Sequence, residues 1–382
     1  MKKLNNFVFL IAVTVALFLI FGGTKIFQSH PEAKEEYDYL SLISEVVSLV
    51  KMEYVEEVQP EKKFPGGFSR MLRSLDKFST YLDAPKTKIY RLYQQGKTYN
   101  CGIYGTKQSN YFYITDIVPN SPAQKHGLKP GDTIKAINGE SIFGQSFWEM
   151  VLSLHTDKPE TIELILLQNQ NKPGKPNKIK LKTTSVNTDL KIKNIDANIL
   201  VELPRIDATN AAHLEQKLEN ELSHTNPLKL IIDLRKYSGG DIDAFIQLTR
   251  VFFPRSIPLT IKTKHKEEKF LLGSSHPLAY QAVVIINKST RMYGELLAAL
   301  FKEYGKDRAI LVGVKTRGFI SKIKQFSLYD GSSILLTEGF FLLNGKNPAD
   351  TGVTPDVKIN ETDPDKIIDR AVFILKKTYD QD

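Results

Sequence analysis

Lys229-Leu230-Ile231-Ile232-Asp233-Leu234, running directly into Arg235-Lys236-Tyr237-Ser238-Gly239-Gly240, is the stretch on which the fold turns. A short apolar run that ends in polar residues and paired glycines reads as a buried strand entering a turn. The same unit recurs on either side of it. Strands at 199–203, 282–286 and 309–312 alternate with helices at 208–222, 242–252 and 294–304. Such alternation predicts a mixed α/β core. A last helix at 364–379 carries Ile367, Ile368, Ala371, Val372 and Leu375 on one face, so it also packs on that core.

Composition bounds what surrounds the core. The chain has 382 residues, 41% hydrophobic and 25% charged, which suits two or three folded domains and excludes disorder, collagen-like repeats and a multi-spanning membrane protein. A single cysteine, Cys101, excludes an internal disulfide framework. The net charge of +9 is concentrated. Residues 169–193 hold seven lysines and one acidic residue, interrupted by Pro173, Gly174 and Pro176. With no aromatic residue in that segment to stack on bases, it reads as a solvated hairpin or linker and not as a nucleic-acid site. The seven histidines are scattered without ligand spacing, so neither a metal nor a cofactor is expected.

At the N-terminus, Lys2 and Lys3 precede a run from Phe7 to Phe21 in which only Thr14 is polar. Residues 4–23 match the ~20 apolar residues that cross a bilayer. The expectation is a signal anchor over 1–28, favoured over a cleaved signal peptide because the small-x-small site is weak. The basic flank keeps the N-terminus in the cytoplasm, and the remainder is expected outside it, on the periplasmic or cell-envelope side of a bacterial inner (cytoplasmic) membrane. A helical region at 32–97 follows, with Leu42, Val46, Leu49 and Val50 spaced for one face, then Phe68, Met71, Leu72 and Leu75 after Pro65-Gly66-Gly67.

Residues 98–170 read as a β-rich domain. Its motifs are Gly102-Ile103-Tyr104-Gly105, Val118-Pro119-Asn120-Ser121-Pro122-Ala123, Gly127-Leu128-Lys129-Pro130-Gly131-Asp132 and Ile137-Asn138-Gly139-Glu140. Four separated motifs in this order resemble a PDZ domain. The resemblance implies strand-addition binding of extended peptide C-termini. Gly102, Ile103, Tyr104 and Gly105 match the turn that holds the terminal carboxylate.

With Leu75 to Asp83, Asp233-Leu234-Arg235 before Gly239-Gly240, Val312-Gly313 with Lys315-Thr316, Asp330-Gly331-Ser332 and Gly352-Val353-Thr354-Pro355-Asp356-Val357, the exported region resembles the carboxyl-terminal processing, or tail-specific, serine peptidases. The resemblance implies a crotonase-like α/β core at 171–382, the Lys-rich hairpin included, joined to the PDZ domain, with a Ser nucleophile and a Lys base. Here the dyad is missing from its expected places. Between the strand Val283-Val284-Ile285-Ile286 and the helix from Glu295, Met292 stands at the serine position. In Thr316-Arg317-Gly318-Phe319-Ile320, Phe319 stands at the lysine position. A thioether has no proton to give up, and a phenyl ring neither accepts nor returns one. Gly239 and Gly240 match the oxyanion-forming turn, although Lys236-Tyr237-Ser238 replaces the usual Asn and Pro before them, and Glu303 matches a third carboxylate position. The expectation is an inactive homologue that binds peptide or protein C-termini as adaptor, decoy or regulatory subunit, partnered by an active relative or by itself. The alternative is an active endopeptidase with a displaced dyad, Thr290 or Ser289 with Lys315, or with Lys322 or Lys324 as base.

Overall fold

The computed structural model describes residues 42, 44–49, 52 and 60–379, apart from 168–176, 186–189, 223, 225, 226, 238, 306 and 362. The anchor read over 1–28 lies outside the described residues. Among those described, no helix is long and apolar enough to cross a membrane. The chain forms two compact units, 1–64 and 65–382. In the first, Leu42, Val46 and Leu49 are helical, as their spacing predicts, and exposed.

In the second unit, helix α1 (Ala84–Gln94) starts at Asp83, whose carboxylate accepts the Lys86 N–H and satisfies one otherwise unpaired donor of the first turn. An antiparallel sheet follows in the order β1 (Ile103–Gln108), β2 (Tyr111–Ile117), β3 (Thr133–Ile137), β4 (Thr161–Leu167), β5 (Asn177–Lys182). Helix α2 (Phe147–Leu152) lies between β3 and β4 in the chain. It opens with a reciprocal cap: Ser146 accepts the Glu149 N–H, and Glu149 accepts the Ser146 N–H. The placement of β5 corrects one expectation. The second half of the Lys-rich segment is the edge strand of this sheet, and it belongs with the β-rich unit instead of the α/β core. Lys178, Lys180 and Lys182 point outward while Leu181 is buried, the period of a half-buried strand, and Lys178 reaches Glu163 on β4 at 2.8 Å. One buried cluster of apolar side chains joins this sheet, α1 and α2.

The α/β core is a six-stranded sheet in the order β6 (Lys191–Ile195), β7 (Asn198–Glu202), β8 (Leu228–Asp233), β9 (Tyr280–Ile286), β10 (Ala309–Gly313), β11 (Val357–Lys358). All pairs are parallel except β6 with β7. Its central strands β8, β9 and β10 are largely apolar runs because both faces are covered. Leu230, Ile232 and Val284 pack with helices α3 (Ala208–Leu222), α4 (Ile242–Phe252) and α5 (Met292–Tyr304). Ile231, Val283 and Ile285 face α6 (Pro364–Tyr379). A further sheet, which the alternation does not announce, is built on the long strand Ser333–Leu343, with Thr80–Leu82, Ile257–Thr263 and Lys322–Ser327 paired to it.

Candidate functional site

The carboxyl ends of β8, β9 and β10 lie together, the end of a parallel sheet where ligands usually sit. Beyond β9 the chain turns tightly, and the Asn287 side-chain carbonyl accepts the N–H groups of Ser289 (2.8 Å) and Thr290 (3.1 Å). Met292 then opens α5 with φ of 52°. A non-glycine residue in the left-handed region costs on the order of 1 kcal/mol or more, so something must hold it there. The Met292 N–H donates to the Phe319 carbonyl at 2.6 Å. The positions read as the lost nucleophile and base are thereby brought together.

Glu295, one turn into α5, clamps the same loop. Its fully buried carboxylate accepts the Gly318 N–H (2.7 Å), the Phe319 N–H (2.6 Å) and the Thr316 hydroxyl. Burial pushes its carboxyl up to about 7, against the pull of these hydrogen bonds and of Lys77. Lys77 braces the loop from outside, donating to the carbonyls of Arg317 (3.1 Å) and Ala349 (3.3 Å).

The geometry around the Phe319 ring is that of a plug. Its centroid lies 4.6 Å from Phe78, edge to face, 4.6 Å from Phe147 and 6.2 Å from Trp148. Only 8% of Phe319 is exposed. Met292 is partly buried and touches both the β-rich and the α/β clusters, sealing the seam between them.

Gly239 and Gly240 run parallel to Arg205 and Ile206. Gly240 has to be glycine, since a Cβ there would lie 2.0 Å from the Ile206 carbonyl oxygen. Tyr237, fully buried, fills the space between this turn and α5, and a Cβ on Gly294 would sit 2.6 Å from its Cγ. Asp233 and Arg235 pair with each other (Nη2 to Oδ2, 2.7 Å), and Lys236 reaches Asp116 on β2 at 3.7 Å. The burial of Asp116 between the two sheets raises its pKa.

Among the described residues, the side chains read as a displaced dyad are hydrogen-bonded to other groups or exposed. The Thr290 hydroxyl is fully buried, donating to the Leu234 carbonyl (3.0 Å) and accepting the Asn287 N–H (3.0 Å). Ser289 is hydrogen-bonded to Thr115. Lys315 is exposed, and Lys322 and Lys324 both pair with Glu338, at 3.2 and 3.1 Å. Glu303, matched to a third carboxylate, is exposed near the far end of α5, beyond Glu295 on the same helix. Among the described residues no group of three or more His, Cys, Asp or Glu is placed to hold a metal ion.

The second candidate region lies along β1, the end strand of its sheet, whose outer edge has no strand beside it among the described residues. Of the residues read as a carboxylate-holding turn, Gly102 makes the turn (φ 77°) and Ile103, Tyr104 and Gly105 already belong to β1. These last three line a recess of about 30 Å³ with Val151, Leu154, His155, Tyr93, Arg205 and Arg291. Burial lowers the His155 pKa to about 4, so its ring is neutral at pH 7. The Gly102 N–H is already taken by the Asn100 side chain at 2.7 Å.

Sequence reasoning did not single out Glu295, Arg291 or the ring cluster. Glu295 carried a signal, an acid directly before the apolar run Leu296-Leu297-Ala298-Ala299-Leu300. A carboxylate inside a buried helix face must be satisfied by donors from elsewhere.

Comparison with known proteins agrees with the two-part layout. Residues 199–359 match Peptidase family S41 and residues 93–158 match the PDZ domain. Among curated relatives, the carboxy-terminal processing protease CtpA of Bacillus subtilis is 24% identical over 96% of this chain and 80% of its own length. The carboxy-terminal-processing protease of Bartonella bacilliformis is 24% identical over 86% of this chain and 77% of its own. Among solved structures, a photosystem II D1 C-terminal processing protease superposes with a TM-score of 0.64, covering 85% of this chain and 90% of that one at 20% identity.

Proposed function

We propose that this chain, in which a Peptidase family S41 domain is joined to a PDZ domain, binds extended peptide C-termini without cutting them. The observation that carries the reading is the pairing of Met292 with Phe319. The helix start and loop keep a fixed mutual geometry, through the Met292 N–H bond and the Glu295 clamp, but the groups presented are a thioether and a phenyl ring packed among Phe78, Phe147 and Trp148. Neither can attack a carbonyl or shuttle a proton. The open edge of β1 supports the binding half of the proposal, since strand addition needs an unpaired edge.

The proposal includes a location outside the cytoplasm, tethered by residues 4–23, and a role as adaptor, decoy or regulatory subunit for an active relative or a second copy. Its support is the basic flank and apolar run of the sequence. The test is retention of peptides with recovery analysis. Unstructured peptides incubated with the full chain in detergent are expected to bind and to be recovered at full length by mass spectrometry. Recovery of discrete fragments, lost on Thr290→Ala or Lys315→Ala but kept in Met292→Ala, overturns it in favour of a displaced dyad.

A further inference from the structure

The recess beside β1 contains a buried cation whose hydrogen-bond partners are uncharged. Arg291 is 5% exposed. Its Nη1 donates to the Ser289 carbonyl (3.2 Å), its Nη2 to the Tyr93 hydroxyl (2.9 Å), its guanidinium carbon lies 5.3 Å from the Phe147 ring centroid, and its Nε has no partner. The other two buried arginines are each matched by an acid. Arg205, which lines the same recess, donates from Nε to Asp207 at 3.1 Å, and Arg235 holds Asp233. A guanidinium cannot shed its proton to escape burial. A desolvated, unpaired charge is unfavourable, and an anion supplied from outside removes the penalty.

The recess specifies what that anion is. It is lined by Ile103, Tyr104 and Gly105, the residues of β1 that follow the Gly102 turn. Its walls mix the apolar side chains Ile103, Val151 and Leu154 with polar ones, Thr98, His155 and the Asp207-paired Arg205 among them. About 30 Å³ admits a carboxylate-sized group and no large side chain. The Asn100 side chain already occupies the Gly102 N–H, leaving the backbone turn one donor short for holding an anion by itself.

We infer that Arg291 receives the terminal carboxylate of the bound peptide, so that the groove takes free C-termini with a small last residue and rejects internal segments and amidated ends. This rests on the reading of the groove as a peptide site. Arg291 immediately precedes Met292, so the residue that greets the ligand is the N-cap of α5, and binding and the emptied chemical site share one turn of chain.

The test uses the full chain in detergent and an octapeptide library varied at its last position, prepared once as free acids and once as amides, with acetyl-alanine as a small-carboxylate competitor. The wild type is expected to retain the acids, enriched in Ala, Ser and Gly at the end, and to bind amides at least tenfold more weakly. Arg291→Gln is expected to lose about 30-fold or more for acids and to stop distinguishing them from amides, with Arg291→Lys recovering part of the preference. An unchanged melting temperature in Arg291→Gln keeps that loss from being one of folding. If Arg291→Gln keeps the acid preference, the inference fails and peptide binding stands. If the wild type retains acids and amides alike, the ligand is an extended segment and the inference fails. If neither pool is retained, the peptide reading fails with it. Competition by acetyl-alanine as effective as by whole peptides assigns the recess to free small carboxylates and overturns the peptide-end assignment.

Discussion

Around Met292 and Phe319 the space is closed by rings and a thioether; one residue earlier in the chain, Arg291 turns into a recess that keeps an unpaired cation and an open strand edge. Adjacent residues thus serve opposite ends. The plug contributes stability by burying apolar surface and excluding water, whereas the recess retains a polar group that apolar packing would have removed at no cost to the fold. On the proposed reading, the difference teaches that binding and chemistry in such a scaffold are separable: a change of the groups at Met292 and Phe319 leaves the peptide edge untouched, because that edge depends on backbone and on Arg291.

The comparison can be broken most forcefully by reopening the plug. Met292→Ser with Phe319→Lys restores a hydroxyl and an amine to positions already linked by the Met292 N–H bond and the Glu295 clamp. Peptide cleavage in the double variant is expected to rise about 100-fold or more above the wild-type background, a fraction of the millionfold that a nucleophile contributes elsewhere. Each single variant is expected to stay at background.

Stability should divide the regions next. Phe319→Ala removes a buried ring from between Phe78 and Phe147 and is expected to cost about 3–5 kcal/mol in denaturant unfolding. Arg291→Gln, on the recess side, should change ligand retention far more than unfolding.

The clamp adds a pH dependence that belongs to the plug alone. The Glu295 carboxyl titrates at about 7 in the folded chain against 4.5 for the ordinary side chain. Its folded value lies above the unfolded one, so its contribution is fully present below pH 4.5 and is lost as pH rises through about 7. The difference corresponds to about 3 kcal/mol. The difference in unfolding free energy between wild type and Glu295→Gln, measured from pH 4.5 to 8, should show that decline, because the buried His155, lowered to about 4, gives both proteins the same opposing slope. The smallest effect concerns α2, the wall common to both regions. Ser146→Ala removes its N-cap acceptor and the partner of the Thr80 hydroxyl (2.9 Å), and should lower stability by about 1 kcal/mol with a matching loss of peptide retention.

The alternating α/β elements were legible because buried parallel strands and amphipathic helices leave strong patterns. The 228–234 run and the helix at 242–252 are visible in the residues themselves. The sheet built on Ser333–Leu343 was not, since two of its partners, Thr80–Leu82 and Ile257–Thr263, are far away in the chain, and pairing at that distance leaves no local pattern. At the candidate site, motif order located Met292 and Phe319. What fills the space around them was not readable, because Phe78, Phe147 and Phe319 come from three distant segments. Lys178 to Lys182 shows the converse: the segment read as a solvated hairpin or linker of the α/β core does return as a hairpin strand, but on β4 of the β-rich sheet, as the alternation of Lys with Ile179 and Leu181 allows.

The most direct test of the account is intact-mass analysis of the full chain after exposure to a serine-directed acylating probe in the presence of an unstructured peptide. The account predicts unmodified protein and uncut peptide, in contrast to an acylated Met292→Ser, Phe319→Lys variant. A stoichiometric adduct on the wild type, mapped to Thr290, Ser289 or any other hydroxyl, would contradict it.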